Sequence, residues 1–217
     1  MWDPVWEELF RARGWGRYPS EDLVRFMART FPDPARVRVL ELGCGPGANL
    51  WYLAREGYRA VGLDGSPSAL AQARRRLQAE GLRAALVRAD ATRLPFPPGS
   101  FDVVLDVECL YANPWEAARR AVAEAARVLA PGGWLWSKTF APGTSGEGDG
   151  EAVPGEPAAW RRLRSGPLAG KGFTRFTPRE RLPELYRPLE LMAVDELCRT
   201  DGPWRVREWL VACRRAA

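Results

Sequence analysis

Hydrophobic positions change their period repeatedly along this chain. Over 3–13 and 20–30 they recur at helical spacing. In the second segment Leu23, Phe26 and Met27 share a face, and Pro32 and Pro34 end it. The period then shortens. Val37-Arg38-Val39-Leu40-Glu41-Leu42 is a β-rich run halted by Gly43-Cys44-Gly45-Pro46-Gly47. A helix over 48–56 presents Leu50, Leu53 and Ala54 and stops at Gly57. A strand over 59–63 ends at Asp64, and a helix over 67–80 opens at Pro67 behind Ser66, carries Leu70, Ala73 and Leu77 inward, and closes at Gly81. Strands over 84–88 and 101–105 end near Asp90 and at Asp106. Asn113-Pro114 opens a helix over 115–129, and Pro131-Gly132-Gly133 turns the chain into a strand over 134–140.

The alternation then breaks. Residues 141–157 are rich in Gly, Pro, Glu and Ser, the composition of a mobile loop, so 141–176 reads as an insertion. A short helix near 178–186 precedes two apolar strands, 188–198 and 205–213, which flank Thr200-Asp201-Gly202-Pro203 and predict an antiparallel pair. The whole predicts an α/β fold: a doubly wound, mostly parallel seven-stranded sheet with a C-terminal antiparallel hairpin, in one domain over 1–217. Within it, 1–34 forms an N-terminal helical cover, 37–140 the core, 141–176 the insertion, and 177–217 the C-terminal helix and hairpin.

Composition narrows the chemistry. The 217 residues contain no histidine, which excludes a Ser-His-Asp triad, a Cys-His pair and any metal site built on imidazole; no metal is expected. Cys44, Cys109, Cys198 and Cys213 lie far apart, without disulfide-like spacing, and predict a reduced, cytoplasmic protein. No apolar run is long enough to span a bilayer, and residues 1–8 lack the pattern of a secretory leader. The net charge of +5 comes from arginines interleaved with acids, so no basic stripe points to nucleic acid.

The Gly-rich turn after the first strand lets the backbone bend tightly and lets a ligand approach the main chain. Its place matters more than its composition, because open α/β sheets bind ligands beyond the carboxyl ends of their strands. Asp64 falls 21 residues beyond Gly43 at the second strand's end, where a carboxylate can accept both hydroxyls of a ribose. Asp90 and Asp106 extend this row of acids, each with helix capping as the alternative reading. Pro46 removes an N–H that a dinucleotide pyrophosphate would use, and the spacing is GxGxG; a cofactor with adenosine and no phosphates fits better.

These runs together are similar to the motifs of class I S-adenosylmethionine-dependent methyltransferases, with a type 11-like pattern. Val39-Leu40-Glu41-Leu42-Gly43-Cys44-Gly45-Pro46-Gly47 resembles the first motif and Val61-Gly62-Leu63-Asp64-Gly65-Ser66 the second. Asp90-Ala91-Thr92-Arg93-Leu94-Pro95-Phe96 resembles the third, Ser100-Phe101-Asp102-Val103-Val104 the fourth, and Arg127 to Gly133 the approach to the fifth strand. The resemblance covers 37–140 in order and implies a Rossmann-like, cofactor-binding core using S-adenosylmethionine, with S-adenosylhomocysteine as product. It implies that Glu41 organises the methionine ammonium, that Gly43, Cys44 and Gly45 line the methionine, and that Asp64 holds the ribose. Gly65 or Ser66 would sit beside the adenine, with Asp90 and the Ala91 amide reading its ring. Asp106 would lie near the methyl group, and Arg17 would pair with the cofactor carboxylate under Tyr18, for both of which helix capping or packing is the alternative.

Methyl transfer needs positioning above all, and a base only when the acceptor must lose a proton. Asp106, Glu108 and Tyr111 are the candidates, with no choice among them; Cys109 as a nucleophile is outweighed by a buried structural role. Trp2, Trp6, Trp15 and Trp160 offer an apolar acceptor lining or ordinary packing, and Trp160, Arg161, Arg162 and Arg164 suggest that the insertion forms a lid. The expected acceptor is a small molecule. An RNA or protein acceptor and a non-catalytic cofactor-binding module are the alternatives, and the sequence leaves the oligomeric state open.

Overall fold

Two helices, α1 (Val5–Ala12) and α2 (Glu21–Thr30), lead into strand β1 (Arg38–Leu42), which has both faces covered. That burial explains why β1 is apolar at consecutive positions: Val39, Leu40 and Leu42 all lie buried. The structure, a computed structural model, describes residues 3–13 and 16–217. Trp2 and Trp15, named above as acceptor-lining residues, lie outside the described residues. β1 pairs in parallel with β2 (Arg59–Asp64), and β2 with β3 (Ala85–Arg88) beyond it. On its other side β1 pairs with β4 (Phe101–Val107), and β4 with β5 (Leu129–Phe140), again in parallel. The strand order therefore reverses at β1, and the crevice beyond the carboxyl ends of β1 and β4 is where such sheets take ligands.

β4 runs two residues further than the pattern predicts, so Asp106 lies inside the strand, in register with Leu42 and Ser137. β5 begins at Leu129, before the Pro-Gly-Gly turn, through an irregular register opposite Phe101 and Val103. The insertion differs most. It carries a small antiparallel sheet of β6 (Glu151–Ala152), β7 (Ala159–Arg161) and β8 (Thr174–Arg175), of which only β6 falls within the 141–157 stretch of loop composition. Leu163, Leu168 and Phe176 bury there with Tyr111, Phe140 and Val206, and these scattered apolar side chains supply a satellite core that composition averages conceal. Strands β9 (Glu190–Asp201) and β10 (Trp204–Arg214) then form the hairpin, and β10 pairs antiparallel with β5. The main sheet thus runs β3-β2-β1-β4-β5-β10-β9.

Helices cover both faces of the sheet. α5 (Trp115–Val128) and the one-turn α6 (Leu182–Leu185) pack Val122, Ala125 and Leu182 against Val104, Leu135 and Val211. On the other face α2, α3 (Ala48–Arg55) and α4 (Pro67–Ala79) bury Leu23, Met27, Leu50, Leu53 and Leu77. Phe26 stacks on Trp136 there, ring centroids 5.7 Å apart. Among the described residues, no helix is long and apolar enough to cross a membrane.

Candidate functional site

The loop from β1 to α3 turns through three glycines with left-handed backbone, Gly43, Gly45 and Gly47. At Gly43 the need is steric as well, because a Cβ there would stand 2.6 Å from the Cys109 Sγ. Asp64, the last residue of β2, ties this loop down. Its carboxylate accepts the Gly45 amide at 2.8 Å and the Ser66 amide at 2.8 Å. A carboxylate offers about four lone-pair directions, so capacity remains on Asp64 for further donors from the cavity it lines.

A cavity of about 550 Å³ opens beyond these strand ends. Glu41, Gly43, Cys44, Gly45, Asp64 and Gly65 line it, with Asp90 and Ala91. Glu41 Oε1 accepts from Asn49 Nδ2 at 2.8 Å, whereas Oε2 is buried with no hydrogen-bond donor among the described residues. Burial pushes the Glu41 carboxyl up to about 8, with the Asn49 hydrogen bond opposing and the Asp64 charge adding to the shift. Asp90 Oδ1 takes both the amide and the hydroxyl of Thr92, which closes a tight turn and holds the acid at the rim.

Three expected site residues stand elsewhere. Asp106 is fully buried behind the cavity wall: Oδ1 accepts the Cys109 amide at 2.9 Å and the Leu110 amide at 3.0 Å, and Oδ2 accepts the Ser137 hydroxyl. Its burial pushes it up to about 6 against those hydrogen bonds, which tie it to the turn after β4. Ser66 caps α4 by accepting the Ala69 amide, and its hydroxyl donates to Glu7, so its side chain is committed to helix docking. Arg17 is exposed and outside the cavity lining: its carbonyl accepts from Arg76, and its guanidinium lies 5.8 Å from the centroid of the Tyr18 ring, which does line the rim.

The lining also holds Glu108, Cys109 and Tyr111 from the turn after β4, with Cys109 against Gly43. Glu108 has left-handed backbone (φ 58°), a strained state for this residue type, fixed by its amide donating to the Lys138 carbonyl at 2.9 Å. Burial pushes the Cys109 and Cys44 thiols well up, so neither is a ready thiolate. Tyr111 is buried edge-on against Phe140 at 4.7 Å. Trp6 reaches the lining, but Trp160 packs on Phe176 at 5.6 Å, and among the described residues none of 141–176 lines the cavity. Arg161, Arg162 and Arg164 pair instead with Asp3, Glu151 and Asp149.

Other lining residues escaped the sequence reading. Lys138 points in from β5 and bridges Asp22 (3.5 Å) and Glu208 (3.3 Å), while Asn49 links Glu41 to the Ser20 amide. For Lys138 the signal is a lone lysine within the strand 134–140. Phe10 adds an aromatic wall over Gly45 from α1, a contact no local pattern announces.

With this geometry in hand, the likeness to known proteins is specific. The family described as a methyltransferase domain matches residues 39–133. A phthiotriol/phenolphthiotriol dimycocerosates methyltransferase of Mycobacterium ulcerans is 34% identical over 176 residues, which cover 79% of this chain and 58% of that protein. A demethylmenaquinone methyltransferase of Thermus thermophilus is 39% identical over 117 residues, 52% of each chain. The chain spans about half the length of the curated relatives it matches. A SAM-dependent methyltransferase structure from Methanosarcina mazei superposes with a TM-score of 0.77 at 18% identity, covering 92% of this chain and 99% of that one, and shares its fold. Motif order, strand order and sequence likeness converge, and residues 39–133 carry a methyltransferase domain of the class I S-adenosylmethionine-dependent kind.

Proposed function

We propose that this chain transfers a methyl group from S-adenosylmethionine to a small-molecule acceptor by in-line displacement. The carrying observation is the buried Glu41 carboxylate on the cavity lining, whose Oε2 has no hydrogen-bond donor among the described residues and suits an ammonium group. When bound, the cofactor supplies a methyl group made electrophilic by its sulfonium. Glu41 would hold its ammonium, and the Gly43–Gly45 backbone would line its amino-acid part. Asp64 would take the ribose hydroxyls on its remaining lone pairs, with Gly65, Asp90 and Ala91 around the adenine. Cys44 contributes bulk and backbone. The acceptor then enters beside Glu108, Tyr111 and Leu197, and alignment of the two reactants can contribute roughly 7–11 kcal/mol.

Support for a small acceptor comes from the relatives named for phthiotriol dimycocerosates and demethylmenaquinone. A cytoplasmic setting belongs to the same reading, supported by four free cysteines. Thermal melting and calorimetry test the cofactor: S-adenosylhomocysteine should raise the Tm and NAD should not. Labelled methyl should then pass from S-adenosylmethionine into an organic extract of cells. Stabilisation by NAD with none by S-adenosylhomocysteine would overturn the reading; label entering RNA or protein alone would overturn the small acceptor.

A further inference from the structure

An amino acid carries its carboxylate on the same carbon as its ammonium. A ligand that seats its ammonium on Glu41 therefore brings an anion into the same part of the cavity. Arg17 does not meet it, being exposed and outside the lining. Among the described residues, Lys138 and Arg199 are the only basic side chains on the lining. They differ sharply. Arg199, on β9, is 43% exposed and lies 3.5 Å from Asp201 and 3.7 Å from Glu208. Lys138, on β5, is only 6% exposed and belongs to the hydrogen-bonded network of Glu41. Its Nζ donates to Ser20 Oγ at 3.3 Å, and the Ser20 amide donates to Asn49 Oδ1 at 3.4 Å. Asn49 Nδ2 in turn donates to Glu41 Oε1 at 2.8 Å, and all four residues line the cavity. Sheet register explains the link. Glu41 stands level with Leu105 on β4, and Leu105 with Trp136 on β5. Lys138, two residues beyond Trp136 in the same strand, therefore projects from the same sheet face as Glu41.

Lys138 also has donors to spare. The bond to Ser20 is the only hydrogen bond its ammonium makes among the described residues. Asp22 at 3.5 Å and Glu208 at 3.3 Å stand within charge-pairing range, but neither accepts a hydrogen bond from it. An ammonium has three donors, and a buried one gains from an acceptor for each. We propose that Lys138 holds the carboxylate of the cofactor's amino-acid part, and that Asp22 and Glu208 fix the lysine in place for it. This rests on the methyltransferase reading. The amino-acid part is then gripped through both of its charges, by Glu41 of β1 and by Lys138 of β5. The neighbouring acids do not cancel the lysine. Burial pushes the Glu208 carboxyl up, so near neutrality it opposes Lys138 with less than its full charge.

The test is calorimetry with two ligands, S-adenosylhomocysteine and S-adenosyl-3-thiopropylamine, which is the same molecule without its carboxylate. The wild type should bind S-adenosylhomocysteine at least about tenfold more tightly than the amine, the worth of a charge-assisted hydrogen bond. In Lys138→Met the affinity for S-adenosylhomocysteine should fall by at least about that factor. The affinity for the amine should hold or rise, because a repelling ammonium has gone. A merely structural lysine would weaken both ligands alike, so the comparison separates the two roles. Lys138→Met strips two acids of their counter-ion, and the double variant Lys138→Met/Glu208→Gln relieves that strain; the same loss of preference is expected in it. Equal weakening of both ligands, or a preference for the carboxylate that survives in either variant, would overturn the proposal. So would a wild type that binds both ligands equally well. Failure of the wild type to bind either ligand would instead overturn the methyltransferase reading.

Discussion

Glu7, in the first helix, accepts the hydroxyl of Ser66, 59 residues later, at the start of α4. Its other oxygen takes the Ser68 hydroxyl, and the Gln72 side chain donates to the Phe10 carbonyl one turn on. A carboxylate thus sits at a helix N-terminus, where the exposed amides and the dipole favour negative charge. The consequence is architectural: α1 is strapped across the cavity mouth with Phe10 over Gly45.

The strap should be acid-sensitive. Hydrogen bonds from Ser66 and Ser68 lower the Glu7 carboxyl from 4.5 to about 2. Because the folded value lies below the unfolded one, its stabilisation is present above about pH 4.5 and is lost as pH falls toward 2. Glu7→Gln should raise amide exchange across Val5–Ala12 at neutral pH and remove that pH dependence. Unchanged protection of α1 in the variant would refute the strap.

Glu41 has the opposite sign. Its carboxyl is raised to about 8, so the free protein should lose stability as pH rises between about 4.5 and about 8. An ammonium ligand would draw the carboxylate form back, so S-adenosylhomocysteine binding at pH 7 should release a proton. Calorimetry in buffers of different ionisation enthalpy measures this release, which should vanish in Glu41→Gln.

Asp64→Ala removes the acceptor of the Gly45 and Ser66 amides together with the expected ribose contact. Hydrogen bonds to a charged group are each worth about 1.5–3 kcal/mol, so affinity for S-adenosylhomocysteine should fall at least about tenfold. The melting temperature without ligand should also drop, while the far-ultraviolet circular dichroism stays native. Unaltered affinity would remove Asp64 from the site.

Gly43→Ala places a methyl 2.6 Å from Cys109 Sγ on a left-handed backbone (φ 61°). The variant should lose cofactor affinity and about 1–3 kcal/mol of stability. Adding Cys109→Gly should restore part of the stability, because the steric share is relieved and the backbone share is not. A denaturant titration of the double variant in which nothing is recovered would show that backbone strain dominates.

Arg175, fully buried in β8, donates to the carbonyls of Asn113 (2.5 Å) and Leu110 (3.1 Å) and lies 5.3 Å from the Trp115 ring centroid. The insertion therefore braces the turn that carries Glu108 and Tyr111 from behind. Arg175→Met should leave two carbonyls without their donor and cost about 1–3 kcal/mol. Methyl transfer should fall more than S-adenosylhomocysteine affinity does; an equal loss of both would mean that the brace serves the whole cavity.

The alternation of strand and helix, the glycine turn after β1 and the acids at strand ends were legible along the chain, because each is a short-range pattern. Glu41, Asp64 and Asp90 reach the cavity because they lie at or within two residues of the carboxyl ends of parallel strands, so their spacing sufficed to place them. Three others find nearer partners and stay out of the lining: Asp106 satisfies the amides of its own turn, Ser66 caps its own helix, and Arg17 stays with Tyr18 and Arg76. The small sheet of the insertion is not legible in the sequence for a different reason. Its core is assembled from Leu163, Leu168 and Phe176 with Tyr111, Phe140 and Val206, residues that no window of sequence holds together. The same is true of Lys138 with Glu208, of Lys138 with Ser20 118 residues away, and of Glu7 with Ser66. Local chemistry determined which elements form and which residues end them. Only the packed sheet, with β10 inserted between β5 and β9, decided which charges share a buried space, because burial and long-range pairing are properties of the assembled fold.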